Sequence, residues 1–181
     1  MLQYPSGNFV RWTSKEYLVR LRRSWYAFPE YRDHTDIPEY FAGRIYRPSY
    51  ISLHSALSFY GLIPESVVQI TSVTSLKTAT FNNSFGEYSY KSVRSDLMFG
   101  YIKKPLTDGR TTSFATMEKA LLDLLYLYPF YKTEAELANL RLDHDILHES
   151  LNPEEFESMV MRFRCQALEK RVNLLKKVYD L

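Results

Sequence analysis

Residues 116–129 constrain this chain more than any other stretch. The run Thr116-Met117-Glu118-Lys119-Ala120-Leu121-Leu122-Asp123-Leu124-Leu125 opens on a residue suited to cap a helix and is apolar on several sides until Pro129 ends it. A helix of that kind lacks a solvent face and belongs in a core. The preceding segment differs in character. From Ser66 to Phe99 the chain is rich in Val, Ile, Thr, Ser, Tyr and Phe, the composition of strands.

Strands are expected at Val67–Val73, Ala79–Phe81, Glu87–Lys91, Asp96–Ile102 and Thr111–Phe114, with turns at Asn82–Gly86 and Asp108-Gly109. They make a central mixed or antiparallel sheet of about five strands. A helix from Ile37 to about Arg44 is capped by Thr35 or Asp36. Another starts at Ser52, runs through Leu53, Ala56, Leu57 and Tyr60, and stops at Gly61 with Pro64 beyond. Thr133–Leu140 is a weaker helix. Asn152-Pro153-Glu154-Glu155 then combines a cap, a first-turn proline and first-turn acids. Apolar residues recur from there at Phe156, Met159, Val160, Phe163, Ala167, Val172, Leu175 and Val178/Tyr179, predicting one long amphipathic helix that lies as a lid on the sheet. The fold class is α+β.

With 181 residues, 45 % of them hydrophobic, the chain can bury a core as one domain, or as a small module joined to a domain of about 130 residues. No run of eighteen apolar residues occurs, which excludes a membrane-spanning helix, and Met1–Gly7 does not read as a secretory signal. Cys165 is the only cysteine, so no internal disulfide exists and a reducing, cytoplasmic setting is expected. The net charge of +2 is unevenly spread. Residues 1–23 carry Arg11, Lys15, Arg20, Arg22 and Arg23 against Glu16 alone, an excess of four, which leaves the remainder at −2.

Motifs of catalysis are scarce. Six glycines are scattered singly and cradle no phosphate, and there is no Gly-x-Ser-x-Gly, His-Glu-x-x-His or Cys-x-x-Cys. His144 and His148 share a helical spacing but have no assigned third ligand, and Cys165 has no local base. Glu87, Lys91, Asp96 and Lys103 lie on or near expected strands, so a metal-dependent nuclease or transferase is a third functional reading, although they lack the tight carboxylate–lysine spacing of such sites. No catalytic residue, metal ligand or cofactor is assigned, and the chain is read as a non-enzyme.

The basic head is the most informative functional feature. A short helix over residues 8–17 is followed by Leu18–Phe28, in which Leu/Val and Arg alternate before aromatics take over. This is a two-stranded ribbon turning at Arg23-Ser24, apolar on one face and cationic on the other. A basic helix followed by a cationic ribbon is the layout of a winged helix-turn-helix. In that layout Arg20, Arg22 and Arg23 contact phosphates from the wing, and Arg11 and Lys15 do so from the helix.

Three segments resemble a known family. Tyr17-Leu18-Val19-Arg20-Leu21-Arg22-Arg23-Ser24-Trp25-Tyr26-Ala27-Phe28-Pro29-Glu30-Tyr31 is similar to the wing of AbiEi-type antitoxins. Arg44–Glu65, with Arg47-Pro48-Ser49-Tyr50-Ile51-Ser52-Leu53-His54 at its centre, resembles the segment most typical of that family, and Glu118-Lys119-Ala120-Leu121-Leu122-Asp123 resembles its helix after the sheet.

The resemblance implies an N-terminal winged helix that binds the promoter of its own operon, residues 1–45, and an α/β effector domain, residues 46–181. It further implies a type IV toxin–antitoxin pair acting in abortive infection against phage. The cognate toxin would be nucleotidyltransferase-like, opposed without a stable complex, and the antitoxin monomeric. The likeness begins inside the winged helix, with Arg11-Trp12 at the end of the recognition helix, so a partial head lacking two helices is expected. Glu16 and Ser24 stand where the family commonly turns on glycine. If either takes a positive φ, the substitution costs on the order of 1 kcal/mol. The runner-up reading is an interaction protein that has kept the effector domain and lost operator binding.

Overall fold

A computed structural model describes residues 6–65 and 67–181. Residues 1–5, on which most of the signal-peptide reading rests, and Ser66, at the start of the strand-rich segment, lie outside them. The protein is α+β. It opens with helix α1 (Ser6–Ser14) and the ribbon β1 (Val19–Arg22) and β2 (Trp25–Ala27). Next come α2 (Ile37–Ile45), β3 (Ser49–Ile51), α3 (Leu53–Phe59), β4 (Gln69–Thr74), β5 (Ala79–Asn83), β6 (Gly86–Ser92), β7 (Tyr101–Pro105) and β8 (Thr111–Ala115). The chain closes with α4 (Met117–Leu127), α5 (Glu134–Ala138), α6 (His144–Ser150), α7 (Pro153–Phe163) and α8 (Gln166–Tyr179). No helix among the described residues is long and apolar enough to cross a membrane.

The main sheet is mixed and has six strands, in the order β5-β6-β4-β3-β8-β7. The sixth is β3, three residues long and too short to announce itself by alternation. Strands β4 and β6 are parallel, while β5 and β6 form an antiparallel hairpin, so β6 is inserted between β4 and β5. Lateral register defines the two faces. Ile51, Ser72 and Tyr90 are neighbours across β3, β4 and β6, and the Tyr90 hydroxyl donates to the Ala42 carbonyl of α2 at 2.8 Å. Tyr50 and Val73 point the other way, toward α4.

Helix α2 belongs to this sandwich. It buries Ile37, Phe41, Ala42 and Ile45, and Glu39 pairs with Lys104 of β7 at 2.8 Å. The boundary expected after residue 45 therefore falls between two elements packed on each other. Gly43 allows the close approach, since a Cβ there would lie 3.0 Å from Thr112 Oγ1 on β8.

Capping residues behave unevenly. Thr116 accepts from the Lys119 N–H, Asn152 from the Glu155 N–H, and Thr133 with Glu136 forms a capping box. Gly61, at φ 72, closes α3 with Leu62 N–H on the Leu57 carbonyl and Gly61 N–H on the Ser58 carbonyl, the two bonds of a Schellman turn. Asp36 stands at the cap of α2 but does not cap it. Its carboxylate instead accepts the Thr107 N–H at 2.7 Å and the Thr107 hydroxyl at 2.8 Å, which ties α2 to the β7–β8 turn and holds the carboxyl below its ordinary range.

Two expected elements differ. Asp96–Phe99 is not strand: Ser95–Leu97 forms a short 3-10 turn, with Asp96 paired to Arg94, and the strand begins only at Tyr101. The single long helix is two, because Arg164 adopts φ 47 and the chain restarts at Gln166. That joint shifts the buried stripe by one position. Phe156, Met159, Val160 and Phe163 are buried in α7, but Leu168 rather than Ala167 continues the stripe into α8, followed by Val172, Leu175 and Tyr179.

At the centre lies a sealed polar cluster. Lys119 and Asp123, one turn apart on α4, are both 0 % exposed and form an ion pair. The Asp123 Oδ2 also accepts the Tyr50 hydroxyl at 2.9 Å and the Ser52 hydroxyl at 2.8 Å. The Lys119 ammonium sits 4.7 Å from the Phe163 ring centre and 4.9 Å from that of Phe99. Gly100, at φ 68, passes so close that a Cβ would lie 3.0 Å from the Lys119 side chain. Ser52 therefore fills the cap position of α3 with its hydroxyl turned away, and Leu53 follows at φ 59. That strained turn is held by Ser52 N–H on the Thr71 carbonyl and the Thr71 hydroxyl on the Ser52 carbonyl.

Burial pushes the Asp123 carboxyl up and the Lys119 ammonium down, and the pair and the two hydroxyls oppose these shifts. Lys119→Met removes the partner charge and is expected to cost about 3–5 kcal/mol. With the ammonium gone, Asp123 rises further above its unfolded value. Stability from a raised carboxyl is fully present below the unfolded pKa, near 4, and is lost as pH rises through the folded one. The variant's deficit, measured by urea melts, should be largest at neutral pH and narrow toward about pH 4; a deficit that stays constant over that range contradicts the assignment.

Phe163 packs against Phe99 and Tyr126, with ring centres at 5.7 and 5.3 Å, and covers Lys119. Phe163→Ala should cost roughly 3–5 kcal/mol. Ala167→Lys, on the exposed side of the joint, should leave the melting temperature within about a degree.

Candidate nucleic-acid interface

Helix α1 leans on the ribbon through Phe9, whose ring stacks on Tyr26 at 4.9 Å. Tyr26 lies opposite Arg20 in the ribbon, so α1 and Arg20 share its outer face, while Leu21 and Ala27 are buried against the rest of the protein. Arg11 and Lys15 are exposed and linked by the Lys15 N–H on the Arg11 carbonyl. Arg20 and Arg23 are exposed as well. None of the five expected contact residues forms an ion pair among the described residues. Four of the five, Arg11, Lys15, Arg20 and Arg23, are thus exposed and carry uncompensated charge, as residues that meet phosphates do.

Arg22 is placed differently. The ribbon register shifts between Arg20 and Arg22, and such an irregularity re-aims the side chain that follows it. The Arg22 guanidinium donates to the Ile45 carbonyl at the end of α2, with its carbon 5.0 Å from the Phe81 ring centre and 5.3 Å from that of Tyr46. Asn83 adds a bond from its amide to the Leu21 carbonyl at 3.1 Å. Arg22 thus fastens the ribbon to the sheet. Strict alternation placed it beside Arg20, and nothing in the sequence marks the bulge.

The residues considered for metal-dependent chemistry are not brought together. Glu87 and Lys91 are on β6, Asp96 is in the 3-10 turn, and Lys103 is on β7 at the far edge of the sheet. Among the described residues no three or more His, Cys, Asp or Glu side chains form a group able to hold a metal ion. His144 and His148 stack at 4.2 Å, and His148 Nε2 lies 2.9 Å from the Tyr179 carbonyl. Lys119, Asp123 and Ser52 are catalytic residue types in mutual contact that the reading of motifs missed. Their signal was a lysine and an aspartate four apart in an otherwise apolar helix. At 0 % exposure they are sealed from solvent.

No protein-family model matches the sequence, and no curated protein matches it.

Glu16 and Ser24 both take positive φ, 57 and 65 respectively. Glycine removes the Cβ strain there at the expense of extra freedom in the unfolded chain. Glu16→Gly and Ser24→Gly should each raise stability by about 0.5–1 kcal/mol, read as a rise of a few degrees in melting temperature. A fall in both would show that the side chains are worth more than the strain.

Proposed function

We propose that this chain is an antitoxin of the AbiEi type, cytoplasmic and non-enzymatic, which opposes a nucleotidyltransferase-like toxin and contacts operator DNA through its basic head. One observation supports this reading above others. Two separate segments that carry the resemblance, 44–65 and 118–123, pack on each other, and Tyr50 and Ser52 from the first donate to Asp123 of the second. The Glu118 carboxylate accepts the Asn152 N–H at 2.9 Å. Residues that carry the likeness thus have framework duties in this fold, which is what the reading expects of them.

The runner-up, an interaction protein without operator binding, is favoured by the inward turn of Arg22, which leaves the ribbon fewer cations to offer. Salt dependence separates the two. If the head grips a duplex, affinity falls with salt, and Arg20→Ala/Arg23→Ala flattens the slope by about one unit per lost contact. Arg22→Ala should instead lower the melting temperature. Affinity for the DNA upstream of the gene, measured at several salt concentrations, decides this; a slope unchanged in the double variant takes the ribbon out of the interface. The reading predicts a nucleotidyltransferase-like protein encoded beside this chain, and antitoxin activity is tested by expressing the two together. Growth should recover without a co-purifying complex, and continued arrest with a folded chain would rule the activity out.

A further inference from the structure

A second cationic cluster flanks the segment to which the ribbon is fastened. Between the C-terminal half of α2 and the β7–β8 hairpin is a recess of about 290 Å³, lined by Arg44, Arg47, Lys103 and Arg110 with the hydroxyl residues Thr111 and Ser113, and by no carboxylate. Gly109 contributes no side chain, and a Cβ there would meet nothing within 4 Å.

The manner in which these cations are held sets them apart. Elsewhere Lys104, Arg141, Lys176 and Lys177 each pair with a glutamate. In the recess, Arg44 is fixed by the Tyr40 hydroxyl, at 2.9 and 2.8 Å, and Lys103 by the Ser113 hydroxyl at 2.7 Å. A hydroxyl positions a cation without cancelling its charge. Arg47 forms no ion pair among the described residues, and only Arg110 is neutralised, by Asp108. Three uncompensated positive charges thus converge on one concavity in a chain whose net charge is +2. Such an arrangement carries mutual repulsion that a bound anion relieves. Guanidinium forks, an ammonium and hydroxyl donors together match the oxygens of a phosphate.

We propose that this recess binds the phosphate or diphosphate group of a small ligand. Arg44 and Arg47 supply paired donors, Lys103 a point charge, and Thr111 and Ser113 the neutral contacts. Arg44, Arg47 and Lys103 are exposed, as Arg20 and Arg23 are, but they line one recess of about 290 Å³, and hydroxyls hold two of them in place. A bounded recess with fixed donors suits a discrete anion. The recess shares no residue with the five cations expected at the operator, and the proposal does not depend on the antitoxin reading.

Titration calorimetry of the full chain with inorganic pyrophosphate and with ADP tests it, beside Arg47→Ala/Lys103→Ala and a charge-matched control, Lys132→Ala/Lys170→Ala, at exposed positions elsewhere. The expected result is one site in the parent and control, weakened about tenfold or more in the first variant. Weak binding alike in all three proteins means an adventitious ion only and overturns the proposal. It is equally overturned if neither probe binds while duplex DNA loses affinity in Arg47→Ala/Lys103→Ala, since the cations then serve a nucleic-acid backbone.

Discussion

The Lys119–Asp123 pair sets terms that its neighbours have to meet. Removing two charges from water costs several kcal/mol per ion, and the attraction between them offsets this only when every remaining donor and acceptor is satisfied. Tyr50 and Ser52 satisfy Asp123 from the opposite layer. Phe99, Phe163 and Tyr50 present ring faces to the ammonium. The requirement propagates outward. Gly100 has to be glycine because both its φ and its distance from Lys119 exclude a Cβ, and Leu53 accepts an unfavourable φ because Ser52 is committed on all sides. Helix α7 is held against α4 from two directions, by Phe163 over the lysine and by Glu118 on the Asn152 N–H. A polar pair of this kind adds little net stability over a well-packed apolar core, yet it permits only one arrangement of the elements around it.

Much of the architecture was legible because local chemistry and tertiary packing ask for the same residues. Thr116, Asn152 and Thr133 cap where their sequence context says they should, and Gly61 ends α3 by the turn that only a residue tolerant of positive φ makes easily. The β5–β6 hairpin follows from Asn82, Asn83 and Gly86. The failures have physical causes. Asp36 and Ser52 occupy cap positions, but each has a stronger long-range partner, Thr107 in one case and Asp123 in the other. The helix break at Arg164 uses a non-glycine residue at positive φ, so composition carries no warning of it. Asp96–Phe99 has the residues of a strand, but the chain there turns to bring Gly100 against Lys119.

The head was read as helix and ribbon, and the structure has both. Arg11, Lys15, Arg20 and Arg23 remain exposed, while Arg22 is spent on attachment. The cluster at Arg44, Arg47 and Lys103 was invisible in sequence for a different reason. Its members come from the end of one helix, the loop after it and a strand some fifty-five residues further on, and only the sheet order brings them together.

The insertion of β6 between β4 and β5 fixes an order of assembly. The β5–β6 hairpin closes through contacts a few residues apart, on a timescale of roughly 1–10 μs. The parallel β4–β6 register joins residues eighteen apart, Gln69 to Glu87 and Ile70 to Tyr88, and carries a larger loop-closure penalty. The hairpin therefore docks as a finished unit, with β6 leading and β5 left as the outer edge. The ribbon rests on β5 through Asn83 and Phe81, and on the end of α2 through the Ile45 carbonyl. Its seat is thus made of two segments far apart in sequence and is complete only when both are in place.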